Sequence, residues 1–185
     1  MMITLTGFMG SGKTTVGKVL ADFLGCPFMD LDDLVVKKAG KSIPDIFAQD
    51  GEPAFRLLEA QELRKTVEKY AESTAVLALG GGAVLAPASA ALLREKTVCI
   101  YLRATLDTLL ARLEGETAGR PLLQEIPDQV GDDGGSVVMP GPDRASVSAR
   151  LASREPIYEE TAHVIIDTDG LSPDEVADEI IISAL

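Results

Sequence analysis

The sequence predicts an α/β domain in three layers, with a parallel sheet covered by helices on both faces. Three observations carry that prediction. Five short apolar runs rich in β-branched residues alternate with helix-patterned segments. The first run, Met2–Thr6, leads directly into Gly7-Phe8-Met9-Gly10-Ser11-Gly12-Lys13-Thr14, and a helical pattern follows at once. A chain of 185 residues is also the right size for one domain with a full hydrophobic core.

The elements follow in order. Lys13–Leu24 sets Val16, Val19, Leu20, Phe23 and Leu24 on one helical face, which predicts an amphipathic helix. Pro27-Phe28-Met29 reads as a short strand ending at Asp30-Leu31-Asp32-Asp33, and helical patterning resumes over Leu34–Lys38 until Gly40. Ser42 is an N-cap candidate for a short helix over Ile43–Gln49, and Asp50-Gly51 then turns the chain. A long helix is expected from Pro53 to Glu72, with Phe55, Leu58, Leu63 and Val67 inward. Thr74–Leu79 is a buried strand that runs into Gly80-Gly81-Gly82. A helix over Pro87–Arg94 precedes the strand Thr97–Leu102, and another covers Leu106–Leu113. Pro121 interrupts regular structure, and Gln124–Asp143 reads as a long loop with four glycines, three prolines and no basic residue. Helix returns over Arg144–Glu160, and His163–Thr168 is the last strand. Ser172-Pro173-Asp174-Glu175 is a capping box that opens the terminal helix.

Composition narrows the function classes. The hydrophobic fraction of 46% and charged fraction of 25% are those of a globular protein. No apolar run approaches the roughly 20 residues of a membrane span. The first strand starts within two residues of the N-terminus, which leaves no room for a secretory signal, so a cytoplasmic location is expected. A formal net charge of −12 argues against a nucleic-acid surface. It also means that any anionic ligand must be met by cations gathered locally. Cys26 and Cys99 have no metal-site or redox spacing and read as buried reduced thiols. His163 is the only histidine and reads as structural, so histidine-based catalysis is not expected.

The segment Gly7–Thr14 fits G-x-x-x-x-G-K-[ST], the phosphate-binding P-loop, in the strand–turn–helix setting that the motif requires. Its glycines admit backbone angles that a Cβ would forbid, so the loop's N–H groups can converge on phosphate oxygens at a helix N-terminus. Gly10, Ser11, Gly12, Lys13, Thr14 and Thr15 are the candidate nucleotide-binding residues, with Lys13 reaching the β- and γ-phosphates and Thr14 holding Mg²⁺. Ligands of parallel sheets bind at the carboxyl ends of the strands. Those ends carry the P-loop, Asp30 and Asp32, Gly80–Gly82, and the Leu102-Arg103 turn. The two aspartates suit holding the metal through water or accepting a hydroxyl proton, while helix capping by Asp32 or Asp33 explains them equally well. Three successive glycines after a buried strand suggest backbone held close to a ligand.

The ordered set of segments resembles the shikimate kinase family, within the nucleoside-monophosphate-kinase-like P-loop kinases. The segments are G-F-M-G-S-G-K-T-T-V-G, D-L-D-D, S-I-P-D-I-F-A-Q-D-G-E-P-A-F-R-L-L-E, L-G-G-G-A-V, G-R-P-L-L, R-E-P-I-Y and I-D-T, covering nearly the whole chain. The resemblance implies the P-loop NTPase fold with strand order 2-3-1-4-5, and ATP- and Mg²⁺-dependent phosphorylation of the 3-hydroxyl of shikimate. It implies that Lys13, Asp32 and Arg120 carry the chemistry, with Asp32 beside the attacking oxygen. Asp30 would hold Mg²⁺ through water together with Thr14. Arg56 and Arg154 would clamp the substrate carboxylate, and Gly80, Gly81 and Gly82 would offer backbone contacts. Arg120 would reach the phosphates from a lid, and Arg112 and Pro173 would pack against adenine. A single domain over 1–185 is expected, with a substrate-binding helical segment at 31–72 and a lid at 115–145. The partner implied is the small-molecule substrate alone, with no nucleic acid or membrane, and the expected state is a monomer.

The residue chemistry agrees with these roles, since planar guanidinium groups suit bidentate carboxylate recognition and an anionic aspartate suits a diol. The chain departs from the family pattern in two places. The acidic stretch Gln124–Asp143 lengthens the lid, and Asp167-Thr168-Asp169-Gly170-Leu171 lacks the basic residue that the family often places near adenine. The alternatives are another small-metabolite or nucleoside monophosphate kinase of this fold, a GTPase-type switch, or a silent nucleotide-binding module. A switch needs a guanine-reading N-K-x-D motif, and the chain has no asparagine. A silent module is disfavoured because Lys13, Asp32, Arg56, Arg120 and Arg154 are all present.

Overall fold

The computed structural model describes residues 1–117 and 144–184. Five strands form one parallel sheet: β1 (Met2–Thr6), β2 (Phe28–Asp30), β3 (Ala75–Ala78), β4 (Val98–Arg103) and β5 (Val164–Asp167). Their order is β2-β3-β1-β4-β5, as expected. Leu5 of the central strand lies opposite Ala78 on one side and Ile100 on the other. The helices are α1 (Lys13–Leu24), α2 (Leu31–Ala39), α3 (Ile43–Lys69), α4 (Pro87–Lys96), α5 (Leu106–Thr117), α6 (Arg144–Thr161) and α7 (Pro173–Ala184).

The period-two alternation of β1 assigns its side chains to the two faces. Ile3 and Leu5 pack with Val16 and Leu20 of α1 and Val176 and Ile180 of α7. Met2 belongs to the opposite layer, where Leu63 and Val67 of α3, Leu93 of α4 and Tyr158 of α6 meet Leu77, Cys99 and Tyr101. Each fully buried Leu or Ile in these layers contributes about 1.5–3 kcal/mol. Thr4, buried within the sheet, hydrogen-bonds Thr97 at 2.9 Å. Because the Thr97 hydroxyl donates to the Leu93 carbonyl, Thr4 is the donor of that pair. A third, smaller core of Val35, Ile46 and Phe55 joins α2 to both halves of α3.

Several sequence expectations are corrected. Phe23 was expected on the buried face of α1 but is 68% exposed. The buried arc is Val16, Gly17, Leu20 and Ala21, because α1 closes on β2 at Gly17, where a Cβ would lie 2.5 Å from the Phe28 ring. That rotation leaves Phe23 on the rim. The second helix starts at Leu31 rather than Leu34, and its N-cap is Asp30, which accepts from the Asp32 N–H at 3.0 Å. The capper is therefore neither Asp32 nor Asp33. Gly51 breaks α3 at φ 81°, ψ 168°, where the Asp50-Gly51 turn was expected, and the helix ends at Lys69 rather than Glu72. Ser42 caps α3, and the Ser172–Glu175 box closes reciprocally, with Ser172 N–H on the Glu175 carboxylate at 2.8 Å and Glu175 N–H on the Ser172 hydroxyl at 3.3 Å.

Cys99 is fully buried, but Cys26 is only half-buried, at the turn after α1; both thiols are free. His163 is a structural bolt. Its Nδ1 accepts from the Cys99 N–H at 3.0 Å, so Nε2 carries the proton and donates to the Arg94 carbonyl at 3.0 Å. No described helix is long and apolar enough to cross a membrane.

Candidate functional site

The P-loop sits where β1 feeds α1. Gly10 and Gly12 have φ of 78° and 91°, the left-handed region in which L side chains are strained, and Gly12 is the N-cap of α1. Lys13 Nζ donates to the carbonyls of Gly7 and Phe8, at 2.8 Å each, so its charge lies over the loop it would share with a phosphate. The Ser11 hydroxyl is buried with no hydrogen-bond partner among the described residues. The Thr14 hydroxyl donates to Asp30 Oδ2 at 2.8 Å. One carboxylate thus caps α2 with one oxygen and meets the loop with the other.

Beside the loop is a cavity of about 320 Å³, lined by Gly10, Thr15, Arg112, Thr168, Leu171 and Pro173 among others. That volume suits a small ligand. Arg112 is held rigidly, donating to the Thr168 carbonyl at 2.8 Å and the Thr168 hydroxyl at 3.1 Å, with longer contacts to the carbonyls of Gly10 and Ser11. The acidic run at the end of β5 has internal partners. Asp167 accepts a bidentate pair from Arg103 at 2.6 and 2.9 Å, which holds its carboxyl below the usual range. Asp169 accepts from the Thr105 N–H and from the hydroxyls of Thr105 and Thr108, tying down the start of α5. Burial pushes its carboxyl up, and those hydrogen bonds outweigh the burial.

Across the loop lies a denser group of charges. Asp32 is half-buried in the first turn of α2, and its carboxyl is pushed up to about 6, first by burial and then by the neighbouring Asp30. Lys13 and Arg56 act in the opposite direction. Arg56, on α3, donates to Glu59 at 2.9 Å and to Glu52 at 3.2 Å and lies over the Phe55 ring. Burial works against its charge, but the two carboxylates more than compensate and raise it above its ordinary value. Glu59 is itself buried, which raises its carboxyl despite the guanidinium beside it.

Two of the three successive glycines are explained by these side chains. A Cβ on Gly80 would lie 2.8 Å from Asp32 Oδ1 and 2.9 Å from Glu59 Oε1, and one on Gly82 would lie 2.5 Å from Arg56 Nη1. Gly81 has ordinary room, 3.7 Å from the Gly7 carbonyl of the P-loop. Close approach to a ligand was the reason offered from sequence. For Gly80 and Gly82 the close approach is to the protein's own charged groups. Arg154 of α6 lies over Phe8 of the loop, 5.9 Å from the ring centroid.

The structure thus gathers Thr14, Asp30, Asp32, Arg56, Gly80–Gly82 and Arg154 around one face of the P-loop, and Thr15, Arg112 and Pro173 around another. Asp30 and Asp32 do not share one strand. Asp30 ends β2, Asp32 begins a helix, and the N-cap brings both to the loop. Arg120 and the Gln124–Asp143 stretch lie outside the described residues. Sequence reasoning passed over Glu59 and Tyr158, although F-R-L-L-E places a carboxylate one helical turn after Arg56, and R-E-P-I-Y places Tyr158 four residues after Arg154. A second cavity, of about 330 Å³, carries Lys37, Lys38, Lys65 and Lys69 beside Tyr70. Three of these lysines stand in the last turns of α2 and α3, where the helix dipole favours cations.

A model of the family described as "Shikimate kinase" matches residues 9–184. The chain belongs to the shikimate kinase family. The shikimate kinase of Salinibacter ruber is 44% identical over 169 residues, covering 91% of this chain and 78% of that protein. The shikimate kinase of Enterococcus faecalis is 39% identical over 97% of this chain and 95% of its own length. Among solved structures, a shikimate kinase from Acinetobacter baumannii in complex with shikimate superposes with a TM-score of 0.80 at 32% identity, covering 97% of this chain and 90% of that one. Shikimate kinases share the P-loop NTPase fold, and the strand order here is that fold's.

Proposed function

We propose that this protein transfers the γ-phosphoryl group of ATP to the 3-hydroxyl of shikimate, a step toward chorismate and the aromatic amino acids. The observation that carries the reading is the convergence of Asp32, Arg56 and Gly80–Gly82 on the face of a P-loop, an acid and a guanidinium arranged for a hydroxylated carboxylate. Arg56 and Arg154 take the substrate carboxylate, which replaces part of the anionic contact that Glu52 and Glu59 give Arg56. Asp32 accepts a hydrogen bond from the 3-hydroxyl and takes up its proton late in the transfer. A carboxyl pushed up to about 6 is a better base than an ordinary aspartate and is still mostly ionised at neutral pH. Gly80–Gly82 lend backbone groups to the ring hydroxyls.

On the donor side, the loop N–H groups and Lys13 hold the phosphates, and Arg112 and Pro173 flank the base in the cavity beside the loop. The transition state is loose, so alignment and neutralisation of the equatorial oxygens do most of the work. The pair formed by Thr14 and Asp30 suits Mg²⁺, which takes one or two protein oxygens and completes its shell with water and phosphate. When bound, Mg²⁺ supplies charge neutralisation on the phosphates. Residues 31–72 serve as the substrate-binding segment, and 115–145 serve as a lid that brings Arg120 to the phosphates and excludes water. The protein acts as a cytoplasmic monomer on a small molecule, without nucleic acid or membrane.

A coupled assay of ADP release tests the substrate. Shikimate is expected to stimulate release well above the ATPase background, and nucleoside monophosphates and sugar acids are not. Stimulation by one of those acceptors with no response to shikimate would overturn the reading.

A further inference from the structure

The Tyr158 side chain is fully buried, and its hydroxyl reaches the glycine strip that the proposed function assigns to the acceptor. It donates to the Gly81 carbonyl at 2.6 Å. The positive charge of Arg154, one helical turn earlier on α6, works against burial at this phenol. A phenol has one proton, and here it goes to Gly81. Burial keeps the phenol protonated, its pKa pushed up to about 12, so the donor to Gly81 persists across the working pH range.

We infer that Tyr158 is a positioning residue for the phosphoryl-transfer reaction, holding the Gly80–Gly82 backbone and setting the acceptor geometry through it. The inference rests on the assignment of Arg154 and the glycine triplet to the acceptor side. Arg154 and Tyr158 lie four residues apart on α6, so they share a helix face. The ring is fixed in the core, tilted against Tyr101 with centroids 5.1 Å apart. Holding the Gly81 carbonyl also fixes the plane of the Gly81–Gly82 peptide. In a trans peptide the Gly82 N–H then points away from the Tyr158 hydroxyl. One oxygen in the core thus sets a peptide plane of the glycine strip. A triplet of glycines has little stiffness of its own, which is why it needs such an anchor.

Buried tyrosine hydroxyls ordinarily find a partner for the sake of stability alone. Positioning and mere satisfaction differ in what they do to the two substrates. Tyr158→Phe keeps the ring against Tyr101 and removes the hydroxyl. Its expected signature is a rise in shikimate KM of about fivefold to tenfold, with ATP KM within about twofold of the parent. Shikimate KM within twofold of the parent for Tyr158→Phe overturns the inference. So does an equal rise in both KM values accompanied by a fall in Tm, since that is the mark of a core tyrosine only. Arg154→Ala is the separate control. If it leaves shikimate KM unchanged, the acceptor-side assignment fails, whatever Tyr158→Phe does.

Discussion

Under the proposed function, the two halves of the site are built in opposite ways. The donor half is local and made largely of backbone: one loop of consecutive residues supplies the N–H groups, the lysine and the hydroxyl, and Arg112 is locked to it by carbonyls. The acceptor half is made of side chains from α2, α3 and α6 pressed against a strip of bare backbone after β3. Backbone can be aimed at phosphate by conformation alone. A carboxylated, hydroxylated acceptor needs charges of both signs within a few ångströms, and those charges must be kept from collapsing onto one another. Glu59 and Glu52 hold Arg56, burial and Asp30 raise Asp32, and the missing Cβ atoms make the space. Donor chemistry is therefore encoded in a short motif, and acceptor chemistry in the packing.

Three experiments sharpen or break that contrast. The largest effect is expected at Lys13→Ala, which under the proposed function removes a transition-state cation: kcat should fall about 10²–10³-fold, with shikimate KM nearly unchanged. A loss confined to shikimate KM would mean that Lys13 belongs to the acceptor half. Gly82→Ala is the counterpart across the site. Its Cβ would displace the Arg56 guanidinium from 2.5 Å, so shikimate KM should rise by about tenfold while ATP KM stays level. Equal damage to both substrates would show that the triplet serves the P-loop instead.

The smallest effect is on stability, and it reverses the usual sign. The folded pKa of Asp32, about 6, lies above its ordinary value of 3.8, so between those values the folded state binds the extra proton. The contribution of this group is most favourable below pH 3.8 and is lost as pH rises through 6. In the metal-free protein at pH 7, Asp32→Asn should therefore stabilise by about 1–2 kcal/mol, or roughly 2–8 °C in Tm, while phosphorylation is lost. Thermal unfolding in chelator at pH 7 and pH 4 checks this. A variant less stable than the parent at pH 7 would show that the ionised Asp32 is not strained by its surroundings.

Legibility followed the same division. The sheet, the P-loop, the kink at Gly51 and both serine caps were readable because each is written in adjacent residues: a period, a turn or a cap. Asp30 shows where local reading stops. Its capping of α2 through one oxygen and its bond to Thr14 through the other depend on where β2 lies beside β1's loop, across an intervening strand. Phe23 was misplaced for a similar reason, since the tilt of α1 is set by contact between Gly17 and Phe28 and not by the helix pattern. The acidic residues at the end of β5, conspicuous beside a site for an anion, proved to be engaged with Arg103, Thr105 and Thr108.

The sequence by itself determined the fold class, the strand order implied by family resemblance, and the position of the phosphate-binding loop, because periodicity and turn chemistry act over a few residues. Only the tertiary structure decided why Gly80 and Gly82 bear no side chains, and that the Tyr158 hydroxyl of α6 holds the Gly81 carbonyl. Those are contacts between elements far apart in the chain. Electrostatic strain and close packing act across space, and no local pattern of residues records them.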